Sequence, residues 1–178
     1  MLYKIRVELQ GIEPPIWRII QVPSRSSLLR LHRILQRAMG WTNSHLHMFE
    51  IDGKLYGEPS PEWDFEVLDS RKMTLEKIFT KGKRSFLYEY DLGDSWRHYI
   101  KILGMVEGKG EEKAGCMAGA RTCPPEDCGG VMGYYNLLVA LSDPDHEEHD
   151  AMLEWVGGKF DPSVFDVIAV DRALKRLR

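Results

Sequence analysis

Residues 2–9, Leu-Tyr-Lys-Ile-Arg-Val-Glu-Leu, alternate apolar Tyr3, Ile5, Val7 and Leu9 with charged Lys4, Arg6 and Glu8. Successive side chains of an extended backbone point to opposite faces, so this pattern predicts a strand with one buried and one solvated side. After the breaker Gly11-Ile12-Glu13-Pro14-Pro15, the run from Ile16 to Val22 is rich in β-branched and aromatic residues and predicts a second strand, antiparallel to the first. The period then changes. Leu28, Leu31, Leu35 and Ala38 form a helical stripe, Ser26 or Ser27 can cap it and Gly40 can end it, which predicts a helix from about Ser27 to Met39.

Two short strands, His47–Ile51 and Lys54–Gly57, flank Asp52-Gly53, the favoured two-residue hairpin turn. A polar, Pro-bearing excursion follows over 58–72, then a short helix capped by Thr74, then a fifth strand over Ser85–Asp91. This order of elements is similar to the β-grasp, or ubiquitin-like, arrangement, in which a mixed sheet wraps one long helix. Turn formers at Asp91 to Asp94 lead into Ser95–Glu107, which alternates well enough to be an extra strand pairing back on the fifth. Residues 107–130 hold many glycines, all three cysteines and no aromatic residue, and so predict a loop. Three helical regions complete the chain: one from Val131, one with Asp145 as a candidate cap, and one opened by Asp161-Pro162 that closes in cations. The expectation is an α+β protein with a β-grasp-like part over 1–106, a Gly/Cys-rich loop over 107–130 and a C-terminal helical extension over 131–178 packed on the same unit.

At 178 residues the chain can bury a substantial core. Its 24 Lys and Arg against 27 Asp and Glu give no global attraction to nucleic acid or to an anionic membrane. Charges at every second position of the N-terminal segment exclude the apolar region of a signal peptide, and no apolar run approaches spanning length. A cytoplasmic location without a membrane partner is expected, and an odd count of three cysteines suits a reducing compartment.

Several constellations can carry chemistry. Cys116, Cys123 and Cys128, with a histidine, would supply a zinc site, although their spacing lacks a C-x2-C knuckle; free thiols fit the same pattern. His45 and His47 fall on one face of an extended segment, as a metal-binding or catalytic pair requires, and equally as one exposed and one packed histidine of a hairpin. The stretch Asp91-Leu92-Gly93-Asp94-Ser95-Trp96-Arg97-His98 gathers two carboxylates, a guanidinium and an imidazole, yet D-x2-D is also the spacing of a loop closed by Asx turns. Arg30, Arg33 and Arg37 make a basic helix face that suits either a phosphate backbone or plain solvent. Walker A, dinucleotide-binding, zincin and G-x-S-x-G motifs do not occur.

With these stretches in view, "PPIWRIIQVP", "LHRILQRAMGWTNSHLHMF", "YEYDLGDSWRH", "RTCPPEDCGG" and "FDPSVFD", the chain resembles the plasmid pRiA4b ORF-3-like family of small bacterial and archaeal proteins. Some of these proteins carry a mobile-element label. The resemblance implies no particular reaction. Neither a serine-recombinase nucleophile region nor the Arg, His, Arg, Tyr set of tyrosine recombinases is present. It does imply a shared set of polar and aromatic residues: Trp17, Arg18, Trp41, His45, His47, Asp91, Gly93, Asp94, Trp96, His98 and the loop from Pro124 to Gly130. Turns built from such types point to a common surface or pocket. The candidate pocket is therefore His45, His47, Asp91, Asp94, Trp96, His98, Glu126 and Asp127, formed where three segments converge. The leading expectation is a non-catalytic module that binds a protein, peptide or nucleic-acid feature. The alternative is a divalent-metal-dependent hydrolase using Asp91, Asp94, Glu126, Asp127 and the histidines. A third is that these groups lock loops together through buried hydrogen bonds.

Overall fold

The computed structural model describes residues 1–107 and 112–177. Among these described residues eight strands form one sheet: β1 (Leu2–Leu9), β2 (Trp17–Pro23), β3 (His47–Ile51), β4 (Lys54–Gly57), β5 (Val67–Asp69), β6 (Ser85–Tyr90), β7 (Trp96–Val106) and β8 (Gly115–Ala120). Five helices accompany them: α1 (Leu28–Met39), α2 (Leu75–Thr80), α3 (Gly130–Ser142), α4 (His149–Trp155) and α5 (Val167–Lys175). The α+β class is as the sequence predicts. Among the described residues no helix is long and apolar enough to cross a membrane.

The alternation of β1 does what its pattern requires: Tyr3, Ile5, Val7 and Leu9 are buried, while Lys4, Arg6 and Glu8 lie on the other face. On β7, Trp96, His98, Ile100 and Ile102 are buried between exposed Arg97, Tyr99, Lys101 and Leu103. Register then stacks aromatic side chains across the inner face. Phe49 pairs with Tyr88 and Tyr88 with His98, while His47 pairs with Tyr90 and Tyr90 with Trp96. Helix α1 starts where a cap exists, since Ser27 Oγ accepts from the Arg30 N–H, and ends at Gly40 with a φ of 98°. Its Leu28, Leu31, Ile34 and Leu35 join the main core, together with Tyr134, Leu137 and Leu174 from α3 and α5.

Strand order is β5-β4-β3-β6-β7-β1-β2-β8. A β-grasp sheet sets β1 beside β6 in parallel, but here β7 lies between them and is antiparallel to both. The strand expected as an addition is the centre of the sheet. The tight turn at residues 91–95 forces β7 alongside β6, and β1 then pairs with the free edge of β7. Nor is α1 a single long helix: it has 12 residues against 13 in α3.

Other expectations are corrected locally. Within the predicted loop 107–130, β8 adds to the edge of β2, with Cys116 opposite Ile20. Within the polar excursion, β5 pairs in parallel with β4. Helix α4 begins after Glu148 rather than after Asp145, and α5 is capped by Asp166, whose carboxylate accepts from the Ile168 and Ala169 amides.

Candidate functional site

Gly40 turns the chain out of α1 and delivers Trp41 to the buried end of the sheet, stacked on Tyr90 at 5.0 Å and edge-on to His98 at 5.3 Å. The indole N–H of Trp41 donates to the Pro124 carbonyl at 3.0 Å, which ties the Pro124–Gly130 loop to this corner. Glu126 is fastened next, accepting from the Thr42 amide at 3.2 Å and from the hydroxyls of Thr42 and Tyr90. Asp94 then holds the loop's end, its Oδ2 accepting from the Gly129 amide at 3.1 Å.

The turn between β6 and β7 fixes one carboxylate. Asp91 has a φ of 56°, its amide donates to the Leu46 carbonyl at 2.9 Å, and its Oδ1 accepts from the amides of Gly93 at 3.0 Å and Asp94 at 3.3 Å. This Asx turn leaves Oδ2 directed at the segment before β3, where His45 Nε2 lies 3.6 Å away. Asp127 approaches the same nitrogen, with Oδ1 at 2.8 Å. His45, Asp91 and Asp127 are the group of three His, Cys, Asp or Glu side chains among the described residues whose ligand atoms lie together, all within 4.8 Å of one another.

Beside this group opens a cleft of about 460 Å³, walled by His32, Arg33, His45, His47, Trp63 and Arg71 among others. His32 and His47 stack with ring centroids 3.6 Å apart and planes 7° from parallel. His32 Nδ1 contacts the Tyr88 hydroxyl at 2.8 Å, a hydroxyl that also accepts from Gln36 Nε2 at 3.1 Å, and His32 Nε2 meets the Asn43 side-chain oxygen. Burial pushes His32 down to about 4 despite the bond to Asn43, and burial with the neighbouring His32 pushes His47 down to about 3. Both shifts keep the stacked rings uncharged at neutral pH.

The predicted site residues thus divide. His45, Asp91 and Asp127 meet directly; Asp94 and Glu126 lie in the same corner, with Asp94 Oδ2 and both Glu126 oxygens engaged in loop contacts; His47 lines the cleft. Trp96 and His98 are sheet interior, at 1% and 0% exposure, beneath Trp41 rather than in any opening. The cysteines are not among the grouped ligand atoms of the described residues: Cys116 sits on the edge strand with its amide bonded to Asp171, and burial pushes Cys123 and Cys128, which lie near each other, up to about 12. Arg33 and Arg37 are exposed and Arg30 is half-buried along α1.

Sequence reasoning passed over His32, Asn43, Trp63 and Arg71. It also missed the role of Arg18, although the alternation of Ile16, Arg18 and Ile20 places an arginine on the buried side of β2.

Gly130 shows how tightly the corner closes. It has a φ of 66°, and a Cβ there would lie 2.5 Å from the backbone oxygen of Asp94. Gly130→Ala is expected to cost about 3 kcal/mol, the joint cost of strained backbone and a clash with a fixed carbonyl, which lowers the melting temperature by roughly 6–12 °C. Thermal unfolding checks this, and an unchanged melting temperature would show that the loop docks loosely.

Comparison with known proteins places these features in a group. The chain is similar to "Uncharacterized protein y4hQ" of Sinorhizobium fredii (strain NBRC 101917 / NGR234), 39% identical over 176 residues that cover 98% of this chain and 91% of that protein. It is similar in fold to the crystal structure of the protein of unknown function MM3350 from Methanosarcina mazei Go1, with a TM-score of 0.84 and 36% identity over 93% of this chain and 95% of that one. The family described as Plasmid pRiA4b ORF-3-like protein matches residues 1–169. A match over that span, together with the 39% identity, shows that the chain belongs to the plasmid pRiA4b ORF-3-like family.

Proposed function

We propose that this protein is a non-catalytic binding module whose cleft takes a short polar peptide segment of a partner protein. The cleft beside α1 carries the reading: its volume of about 460 Å³ falls in the range of sites that enclose small ligands. Its charges balance, with Arg33 and Arg71 against Glu58 and Asp69, and Arg71 is already paired to Asp69 at 2.9 Å. Such a wall suits mixed donors and acceptors better than a polyphosphate. Asn43, Ser44, Ser70 and the uncharged His47 offer neutral hydrogen-bonding groups, and Trp63 offers a flat apolar surface. The outermost strand, β5, ends beside the cleft at Asp69, in the position from which extended peptides add to a sheet.

A peptide-display selection against the wild-type chain tests this. Selected binders are expected to lose at least tenfold in affinity on Arg33→Glu and on His47→Ala, while Tyr99→Ala on the outer face of the sheet leaves affinity unchanged. A selection that yields only binders indifferent to Arg33→Glu and His47→Ala sinks the reading.

The metal-dependent hydrolase reading keeps His45, Asp91 and Asp127 as its support. It is weakened at Glu126, whose two oxygens accept from Thr42 and Tyr90, and Asp94 spends its Oδ2 on the Gly129 amide.

A further inference from the structure

We infer that His45, Asp91 and Asp127 form a binding site for one divalent transition-metal ion. The inference stands apart from the peptide reading, because it rests on donor geometry at the corner and not on what the cleft holds.

The donors come from three separate parts of the chain: the segment before β3, the turn between β6 and β7, and the loop before α3. Each is held in place by contacts that leave its ligand atom free. Asp91 spends Oδ1 on its own turn and keeps Oδ2 for His45. Asp127 is carried by a loop pinned on both sides, at Glu126 by Thr42 and Tyr90, and at Gly129 by Asp94. His45 packs edge-on against Tyr90 at 5.9 Å.

The state of His45 Nε2 points to a cation. Solvent barely reaches this nitrogen, and it has no aligned hydrogen bond, although Asp127 Oδ1 is only 2.8 Å away and Asp91 Oδ2 is 3.6 Å away. A hydrogen bond would set an acceptor on the N–H axis. An ion on that axis, with a carboxylate bonded roughly at a right angle to it, instead leaves the carboxylate oxygen beside the axis. Metal–ligand bonds of about 2.0–2.2 Å place neighbouring ligand atoms about 2.8–3.6 Å apart, from right-angled to tetrahedral geometry, and the observed 2.8 and 3.6 Å fall at the two ends of that range. One imidazole and two carboxylates make a mixed nitrogen and oxygen set, which suits zinc or manganese better than a thiolate-seeking ion or calcium. Three protein ligands leave coordination positions open, and since His45 also lines the cleft, the ion would stand at its rim.

The test uses the full chain, stripped of metal with a chelator, and titrated calorimetrically with zinc and separately with manganese. One equivalent of zinc is expected to bind and to raise the melting temperature, since a ligand of the native state stabilises it by mass action. His45→Ala and Asp127→Asn are each expected to weaken zinc binding at least tenfold. Asp91→Asn, which keeps the Oδ1 acceptor of the turn and removes the charge, is expected to do the same while the metal-free melting temperature holds. Replacing Cys116, Cys123 and Cys128 by serine is expected to leave zinc affinity within about twofold, and cobalt substitution is expected to give a spectrum without thiolate charge-transfer bands. The inference is overturned if neither ion binds the wild-type chain, if affinity survives His45→Ala and Asp127→Asn, or if cobalt shows thiolate ligation. Because cleft variants such as Arg33→Glu touch none of the three ligands, failure of peptide binding and failure of metal binding are separately visible.

Discussion

Lowering the pH from 7.5 to 5 is expected to remove about 6 kcal/mol of unfolding free energy, because three histidines are held in their uncharged form by burial. His98 is fully enclosed and neither of its ring nitrogens has an aligned hydrogen bond among the described residues. Burial pushes it down to about 4, outweighing the nearby backbone carbonyls of Tyr88 and Trp96, while the Arg18 guanidinium also disfavours its cation. The groups facing it are Trp41, Tyr88, Trp96 and Arg18, none of which supplies a negative charge. His32, likewise pushed down to about 4, faces Tyr88, Asn43, His47 and Arg33, and His47, pushed down to about 3, faces His32, Phe49 and Tyr88. In the unfolded chain all three titrate near 6.5. Between 6.5 and 4 the unfolded state therefore holds protons that the native state does not, and stability falls as pH falls through that window. At pH 5 the cost is on the order of 2 kcal/mol for each ring, a large share of the roughly 5–15 kcal/mol that holds a domain folded. Most carboxylates remain ionised at pH 5, so the effect is separable from ordinary acid unfolding. Urea unfolding at pH 7.5 and 5 measures it. His98→Phe removes one of the three titrating groups and is expected to lessen the acid loss by about a third; an equal loss in the variant, or a flat profile in the wild type, would refute the assignment.

The same burial explains what could be read from the chain and what could not. The bounds of β1 and α1 were legible because local chemistry sets them: a strict alternation in one, Ser27 and Gly40 around a leucine stripe in the other. Strand β8 was not. Its Gly-Cys-Met-Ala-Gly-Ala carries no alternation, and it becomes a strand because the edge of β2 supplies the hydrogen bonds. Strand order was also beyond local reading, since a pattern shows that β7 is extended and not that it separates β6 from β1. The family signature located the corner by residue type, but it could not sort roles within it. His45 and His98 look alike in sequence; one meets two carboxylates and the other is sealed beneath Trp41, a difference decided by the reversal of chain direction at Asp91 and by the path of the loop from Pro124.

Arg18→Lys is expected to cost about 4 kcal/mol, lowering the melting temperature by roughly 10 °C, although the formal charge is kept. The Arg18 side chain is 2% exposed and has no carboxylate partner among the described residues; it is satisfied by carbonyls. Nε donates to Ala38 at 3.0 Å, one terminal nitrogen to Trp17 at 2.9 Å and Ala120 at 2.8 Å, and the other to Arg121 at 2.9 Å. These bonds join the end of α1 to the end of β8 and to the start of the loop that carries Glu126 and Asp127. The guanidinium face also lies 4.1 Å from the centre of the Phe165 ring, which fits there because Gly119 has no side chain: a Cβ would lie 2.4 Å from that ring. A lysine ammonium is a single compact donor and cannot reach carbonyls arrayed around a planar fork, so several buried acceptors lose their partners and a poorly paired charge remains. Because Arg121 begins the site loop, the loosening is expected to reach the corner: the Thr122 and Gly129 amides should exchange with solvent faster in the variant, while those of β6 and β7 keep their protection. A melting temperature within about 2 °C of the wild type, or exchange that accelerates evenly across the sheet, would show that Arg18 does not tie the loop to the fold.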